Sequence, residues 1–261
     1  MSERWSDLAV RMGSGAVMVL VGVWAIWMGG DVFHVAVALV CGLMIWELVR
    51  MLAPGAPAVA VQLGAVAALA VMLAIYLPLA YAVPLLVAPA FAGAGQLARH
   101  RVLYGGFTVM VLAAGYGMMH VRDDLGLAWL VWLVLIVVIT DVAGYFAGRL
   151  LGGPKFWPRI SPRKTWSGTA AGWLGAAILG AFFGMNSGVW TAVLLASVAL
   201  SFASQMGDIA ESAIKRKMGV KDSSSLIPGH GGVLDRFDGM LGATIGFLVI
   251  EILFGFPWLT L

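Results

Sequence analysis

The chain has 261 residues, of which 61% are hydrophobic and only 11% (sixteen basic and thirteen acidic residues) are charged. A soluble domain carries about 25% charge, so a lone water-exposed globule is excluded. High hydrophobicity excludes a disordered chain, and a single cysteine, Cys41, excludes a disulfide scaffold.

The charges are clumped. Residues 51–98 and 165–207 contain no Asp, Glu, Lys or Arg. A spanning helix needs about 20 mainly apolar residues, so each gap holds two spans and a turn. The runs are solidly apolar, as over 130–139, whereas barrel strands alternate over about ten residues. The chain therefore reads as an all-α, polytopic integral membrane protein.

In chain order, glycine and proline punctuation places spans at 13–28, 32–49, 58–76, 79–98 and 102–119. Four more follow at 126–150, 168–185, 190–207 and 239–256. The breaks include Gly29-Gly30-Asp31, the Pro54–Pro57 turn, Pro78 and Asn186-Ser187-Gly188. Residues 1–125 form an N-terminal bundle of about five spans. Residues 126–261 form a C-terminal region with polar loops at 150–167 and 208–238. With the N-terminus cytoplasmic, fifteen of the sixteen basic residues fall inside, as the positive-inside rule expects; Arg122 is the exception. The first apolar stretch reads as a signal-anchor, because no small-residue cleavage site precedes the next span. Cys41 reads as an inert packed thiol. The pairs Gly144/Gly148, Gly168/Gly172 and Gly180/Gly184 have the small-xxx-small spacing of close helix approach.

Residues 208–238 carry 10 of the 29 charges, far more than a simple connection needs. Ser201, Gln205, Asp208, Ser212 and Lys215 recur at steps of four and three, which lays them along one helix face. The eighth helix thus continues past the membrane edge with an inward polar stripe, and intramembrane polar groups are functional candidates by default. Pro228-Gly229-His230-Gly231-Gly232 permits positive φ and close backbone approach, which suits a phosphate-bearing ligand but, taken alone, also suits a plain turn. Asp235-Arg236-Phe237-Asp238 follows. The preceding loop, Ser161-Pro162-Arg163-Lys164-Thr165-Trp166-Ser167-Gly168, reads equally as a phosphate site or as a basic patch on anionic headgroups. Asp141, Gly144, Tyr145 and Gly148 share one face of span 6, and Asp141 there needs a cation or a polar cavity.

The inventory is carboxylates, cations and flexible backbone, with no arrangement that suggests a covalent nucleophile. It suits Mg²⁺-dependent phosphoryl or nucleotidyl transfer, because Mg²⁺ is held by one or two carboxylates plus substrate phosphates. The metal and basic side chains neutralise charge in an in-line displacement.

Ser212-Ala213-Ile214-Lys215-Arg216, Lys221-Asp222, Pro228–Gly232 and Asp235–Asp238 together resemble, without a gap, the signature of the phosphatidate cytidylyltransferases (CDP-diacylglycerol synthases). Gln205–Asp208, Ser161–Trp166 and Asp141–Gly148 add to the resemblance, which covers the C-terminal half. It implies that CTP and phosphatidate become CDP-diacylglycerol and pyrophosphate, with Mg²⁺, a second cation as an option, and a homodimer. Membrane lipids are partners and nucleic acid is not. The location implied is a cell membrane, the bacterial inner one, with the site facing the cytoplasm. By position, Asp208 and Asp235 would be metal ligands, with Asp141 and Glu211 near the same centre. Lys215, Arg216, Lys221 and Arg236 would hold phosphates, helped by His230, Gly231 and Gly232; Asp208, Asp235, Lys215 and Arg236 form the catalytic set. Arg163, Lys164 and Thr165 would contact nucleotide or lipid phosphate. The family often has Lys at Arg163 and Glu at Ser167. The alternatives are a CTP-dependent lipid or polyprenol kinase and an anion transporter, although no internal repeat of the transporter kind is visible.

Overall fold

A computed structural model describes residues 2–185 and 189–255, with side chains from Val10 onward. The expected break at Asn186-Ser187-Gly188 and the end of the ninth span at Phe256 lie outside the described residues. Among the described residues, nine helices are long and apolar enough to cross a membrane. The protein is an all-α polytopic membrane protein.

The helices are α1 (Ser2–Met28), α2 (Gly30–Leu52), α3 (Pro57–Ala74), α4 (Leu79–Gln96) and α5 (Arg101–His120), followed by α6 (Leu127–Leu150), α7 (Trp166–Gly184), α8 (Trp190–Lys217) and α9 (Leu234–Phe254). The chain divides into two compact units. One comprises Met1–Leu127 with Lys217–Phe237, and the other Ala128–Arg216 with Asp238–Leu261. The segment 217–237, grouped by sequence with the C-terminal region, thus packs with the N-terminal helices.

In the N-terminal unit, local chemistry sets the helix ends. Pro57 opens α3 at a position where its missing N–H is no loss. A single turn of π-helix, Val121–Leu125, follows α5 and closes on Gly126 at φ 96°, a conformation that favours glycine. Arg122, the one exception to the charge asymmetry, donates to the carbonyls of Ile26 (2.8 Å) and Trp27 (3.2 Å). It thereby caps carbonyls at the end of α1 that have no intrahelical partner. Helices α2 and α3 meet where a Cβ on Gly42 would lie 2.9 Å from the Gly64 carbonyl oxygen. Cys41 is buried, with its thiol directed at the Val111 carbonyl of α5.

The C-terminal unit contains an element that the all-α reading omits. Between α6 and α7, strands β1 (Lys155–Trp157) and β2 (Ser161–Thr165) form an antiparallel hairpin. Phe156 packs edge-on against Trp166 at 4.7 Å between ring centroids. Thr165 then caps α7, its Oγ1 accepting from the Gly168 amide at 3.2 Å, which satisfies one of the orphan donors of the first turn. Small residues let the helices approach closely. A Cβ on Gly168 would lie 2.5 Å from the Gly144 oxygen of α6, and one on Gly242 of α9 would lie 2.8 Å from the Gly207 nitrogen of α8. Helix α8 runs ten residues past Gly207, as its polar stripe suggests.

Candidate functional site

The stripe of α8 lies where the C-terminal unit is most polar. Ser201 is fully buried and accepts from Thr140 Oγ1 of α6 at 2.7 Å. Gln205 receives the Trp173 indole N–H at 3.1 Å and donates to the Thr169 carbonyl at 3.3 Å, both in α7. These bonds satisfy polar groups that would be costly in an apolar bundle, and they hold α6, α7 and α8 in register.

Asp208, one turn further on, pairs with Lys164 of β2 at 2.5 Å and accepts from Ser212 Oγ at 3.2 Å. Lys164 also donates to the Gln205 carbonyl. The pair sits in a cavity of about 400 Å³ whose polar lining includes Asp141, Tyr145, Arg149, Arg163, Lys164 and Asp208. Neither partner is sealed off, with side chains 24% and 30% exposed, so the cavity opens to the surface of the protein. Thr165 lines it too, with its hydroxyl engaged in the α7 cap.

Asp238 feels the charges of Asp208, Asp141 and Lys215, and its Oδ1 accepts from the Gly239 amide at 2.7 Å. It is a signature charge to which the sequence assigns no role. Glu211 is fully buried and ion-paired with Lys215 one turn along α8. Arg216 is exposed and its Nε donates to the Ile160 carbonyl of the hairpin. The Ser167 hydroxyl donates to the Gly152 carbonyl, tying the start of α7 to the turn before the hairpin.

The remaining candidates belong to the N-terminal unit. The loop before α9 folds tightly, with the Ile227 amide donating to Gly231 O at 2.8 Å and the His230 amide to Ile227 O at 2.9 Å. Gly231 takes φ 82°. The His230 ring nitrogen Nδ1 meets Ser14 Oγ of α1 at 2.9 Å, and Arg236 Nε donates to the His230 carbonyl at 2.9 Å. Asp235 Oδ2 accepts from the Ser223 amide (2.8 Å), Ser223 Oγ (2.8 Å) and the Gly232 amide (2.7 Å). Lys221 is exposed.

A fully enclosed carboxylate of this unit was not singled out by sequence. Glu47 of α2 is 0% exposed and accepts from the Val233 and Leu234 amides and from Ser223 and Ser224 hydroxyls. Its signal was available, since an ionisable residue inside a span is a candidate by default.

Among the described residues, no three His, Cys, Asp or Glu side chains form a ready-made metal cage. Mg²⁺ needs none, because it takes one or two carboxylates and completes its shell with water and substrate phosphates. The hard oxygen donors Asp141 and Asp208 of the cavity, with Asp238 near both, suit such an ion.

Fold and site together define a polytopic helical membrane protein with an open cavity where carboxylates and cations meet. The chain belongs to the cytidylyltransferase family, whose family model matches residues 9–254. It is 43% identical to the phosphatidate cytidylyltransferase of Brucella suis over 160 residues, which cover 60% of this chain and 57% of that protein. The enzyme of the same name from Helicobacter pylori is 42% identical over 133 residues, half of each chain. That of Staphylococcus haemolyticus is 41% identical over 143 residues, or 52% of this chain and 54% of that one. The matches thus span little more than half the length of these relatives.

Proposed function

We propose that this protein transfers a cytidylyl group from CTP to phosphatidate, forming CDP-diacylglycerol and pyrophosphate. The observation that carries the reading is the Lys164–Asp208 pair in an open cavity among spanning helices. Such a site admits a soluble nucleotide and borders lipid. Family membership and the names of the relatives point the same way.

In this reading a phosphate oxygen of phosphatidate attacks the α-phosphorus of CTP in line. The bond from that phosphorus to the bridging oxygen breaks, and pyrophosphate leaves. A phosphate monoester has a second pKa of about 6, so the nucleophile is already ionised at neutral pH and needs no strong base. Asp208, with Asp141 and Asp238, in the C-terminal unit, and Asp235 in the N-terminal unit, are each proposed as donors for Mg²⁺, which would neutralise phosphate charge. Glu211, paired with Lys215, would act through that lysine. Lys164, Arg163 and Lys215 would hold phosphates in the C-terminal unit; Lys221, Arg236 and the His230 loop would do so from the N-terminal unit. A cytoplasmic N-terminus, a cytoplasm-facing site in a bacterial inner membrane and a homodimer belong to the same proposal, the orientation resting on the distribution of cations.

The test is CDP-lipid formation by purified full-length protein in detergent with CTP, phosphatidate and Mg²⁺. Chelation with EDTA is expected to abolish turnover and added Mg²⁺ to restore it. Turnover that persists in EDTA would remove the metal from the reading, and absence of CDP-lipid under all metal conditions would remove the reading itself.

A further inference from the structure

Glu47 lies in the middle of the chain's N-terminal half, which carries none of the signature, yet all four of its donors come from the signature loop. Val233 and Leu234 donate their amides at 2.8 and 2.7 Å, Ser224 its hydroxyl at 2.6 Å and Ser223 its hydroxyl at 3.2 Å. The two amides belong to the start of α9, where backbone N–H groups have no intrahelical partner. A carboxylate there satisfies them and meets the positive end of the helix dipole. Usually the residue just before a helix supplies this cap. Here it arrives from a spanning helix 186 residues earlier in the chain.

The same group reaches Asp235 through one intermediate. The Ser223 hydroxyl has a single proton and faces two carboxylate oxygens, Asp235 Oδ2 at 2.8 Å and Glu47 Oε2 at 3.2 Å. Asp235 Oδ2 also takes the Ser223 and Gly232 amides. A side chain at Gly232 would place its Cβ 2.5 Å from Glu47 Oε1, so the loop closes tightly over Glu47. Glu47, Ser223 and the head of α9 therefore form one hydrogen-bonded unit, with Asp235 as its outer member.

We propose that Glu47 is a positioning residue for the reaction: it clamps the first turn of α9 and, through Ser223, sets the orientation of the Asp235 carboxylate. This rests on the reading of Asp235 as a metal ligand. A group that orients a metal ligand typically changes metal affinity or activity by about 10–100-fold when altered. Glu47→Gln keeps the shape but turns an amide N–H₂ toward at least one of the donors that Glu47 now accepts from.

Two measurements on the full-length protein in detergent test it. The first is backbone amide exchange at 232–235. In Glu47→Gln it is expected to quicken at least about tenfold, while α6–α8 exchange as in the parent. Unchanged exchange would overturn the clamp, whatever the enzyme does. The second is steady-state kinetics. Glu47→Gln is expected to lower kcat and raise the Mg²⁺ concentration for half-maximal rate by about tenfold, with KM for CTP nearly constant and partial rescue in Glu47→Asp. Faster exchange with unaltered kcat and Mg²⁺ response would overturn the positioning role and leave Glu47 as a purely structural cap. If Glu47→Gln does not fold, Ser223→Ala decides, because it keeps the amide cap and removes only the bridge to Asp235. A raised Mg²⁺ requirement supports the proposal and an unchanged one overturns it. Failure of the parent protein to make CDP-lipid would strike the proposed function instead, with amide exchange still deciding the clamp.

Discussion

Glu47 in the N-terminal unit and Asp208 in the C-terminal unit are both carboxylates on spanning helices, and their surroundings differ in kind. Glu47 is sealed from solvent and saturated by four neutral donors, two of them backbone amides that cannot leave without unwinding α9. Asp208 keeps 30% of its side chain exposed and pairs with a single cation, Lys164, in an open cavity. A carboxylate with fixed, neutral partners maintains shape. One with an exchangeable ionic partner and room beside it can trade that partner for a metal or a phosphate. The difference gives Glu47 a shape-keeping part and leaves Asp208 able to exchange its partner, while Asp235, held by the Ser223 and Gly232 donors, is the proposed metal ligand of the N-terminal unit.

Changes on the chemical side of this comparison are expected to have the largest effects. Asp208→Asn and Asp235→Asn should each lower turnover by at least about 100-fold, the scale of losing a preorganised electrostatic contact, while the detergent-solubilised protein keeps its elution profile and helical circular dichroism. Near-normal turnover in either variant would remove that residue from the metal site. Lys164→Met keeps the aliphatic stem without the charge, and a loss of about 10- to 100-fold is expected. Lys164→Arg should recover part of it, because the charge survives and the geometry of the head group changes.

Close helix packing within the C-terminal unit gives a different signature. A Cβ on Gly242 would run into backbone of α8, and overpacking of this kind costs about 1–3 kcal/mol. Gly242→Ala should therefore lower the melting temperature by several degrees, read by thermal unfolding in detergent; an unchanged melt would show that α8 and α9 have slack at this crossing. Smallest of all, Arg159→Ala, an exposed position in the hairpin turn, should change turnover by less than about threefold, since exposed charges contribute little. A large loss there would extend the chemical region beyond the cavity.

Much of this was legible from residue order. Apolar runs separated by Gly and Pro mark the spans, and the three-and-four spacing of Ser201, Gln205 and Asp208 marks the buried face of α8. The signature residues mark the loop. What was not legible depends on tertiary contact. The hairpin is short, interrupted by Pro158 and rich in cations, so it lacks the alternation that announces a strand. Glu47 obeys the rule that singled out Asp141, but its partners are backbone amides 186 and 187 residues away, and no spacing rule names a backbone donor across such a distance. Asp238 was visible as a charge. Its place among Asp208, Asp141 and Lys215 needed the packing of α9 within the C-terminal unit.

The central claim is that the nucleotide's α-phosphorus is the one attacked. Purified protein given phosphatidate, Mg²⁺ and CTP labelled at either the α- or the γ-phosphate tests it directly. The α-label is expected to move into the lipid fraction and the γ-label to leave as pyrophosphate, in equal amounts. Label from the γ-phosphate in the lipid, with CDP released, would contradict it and identify a phosphoryl transferase instead.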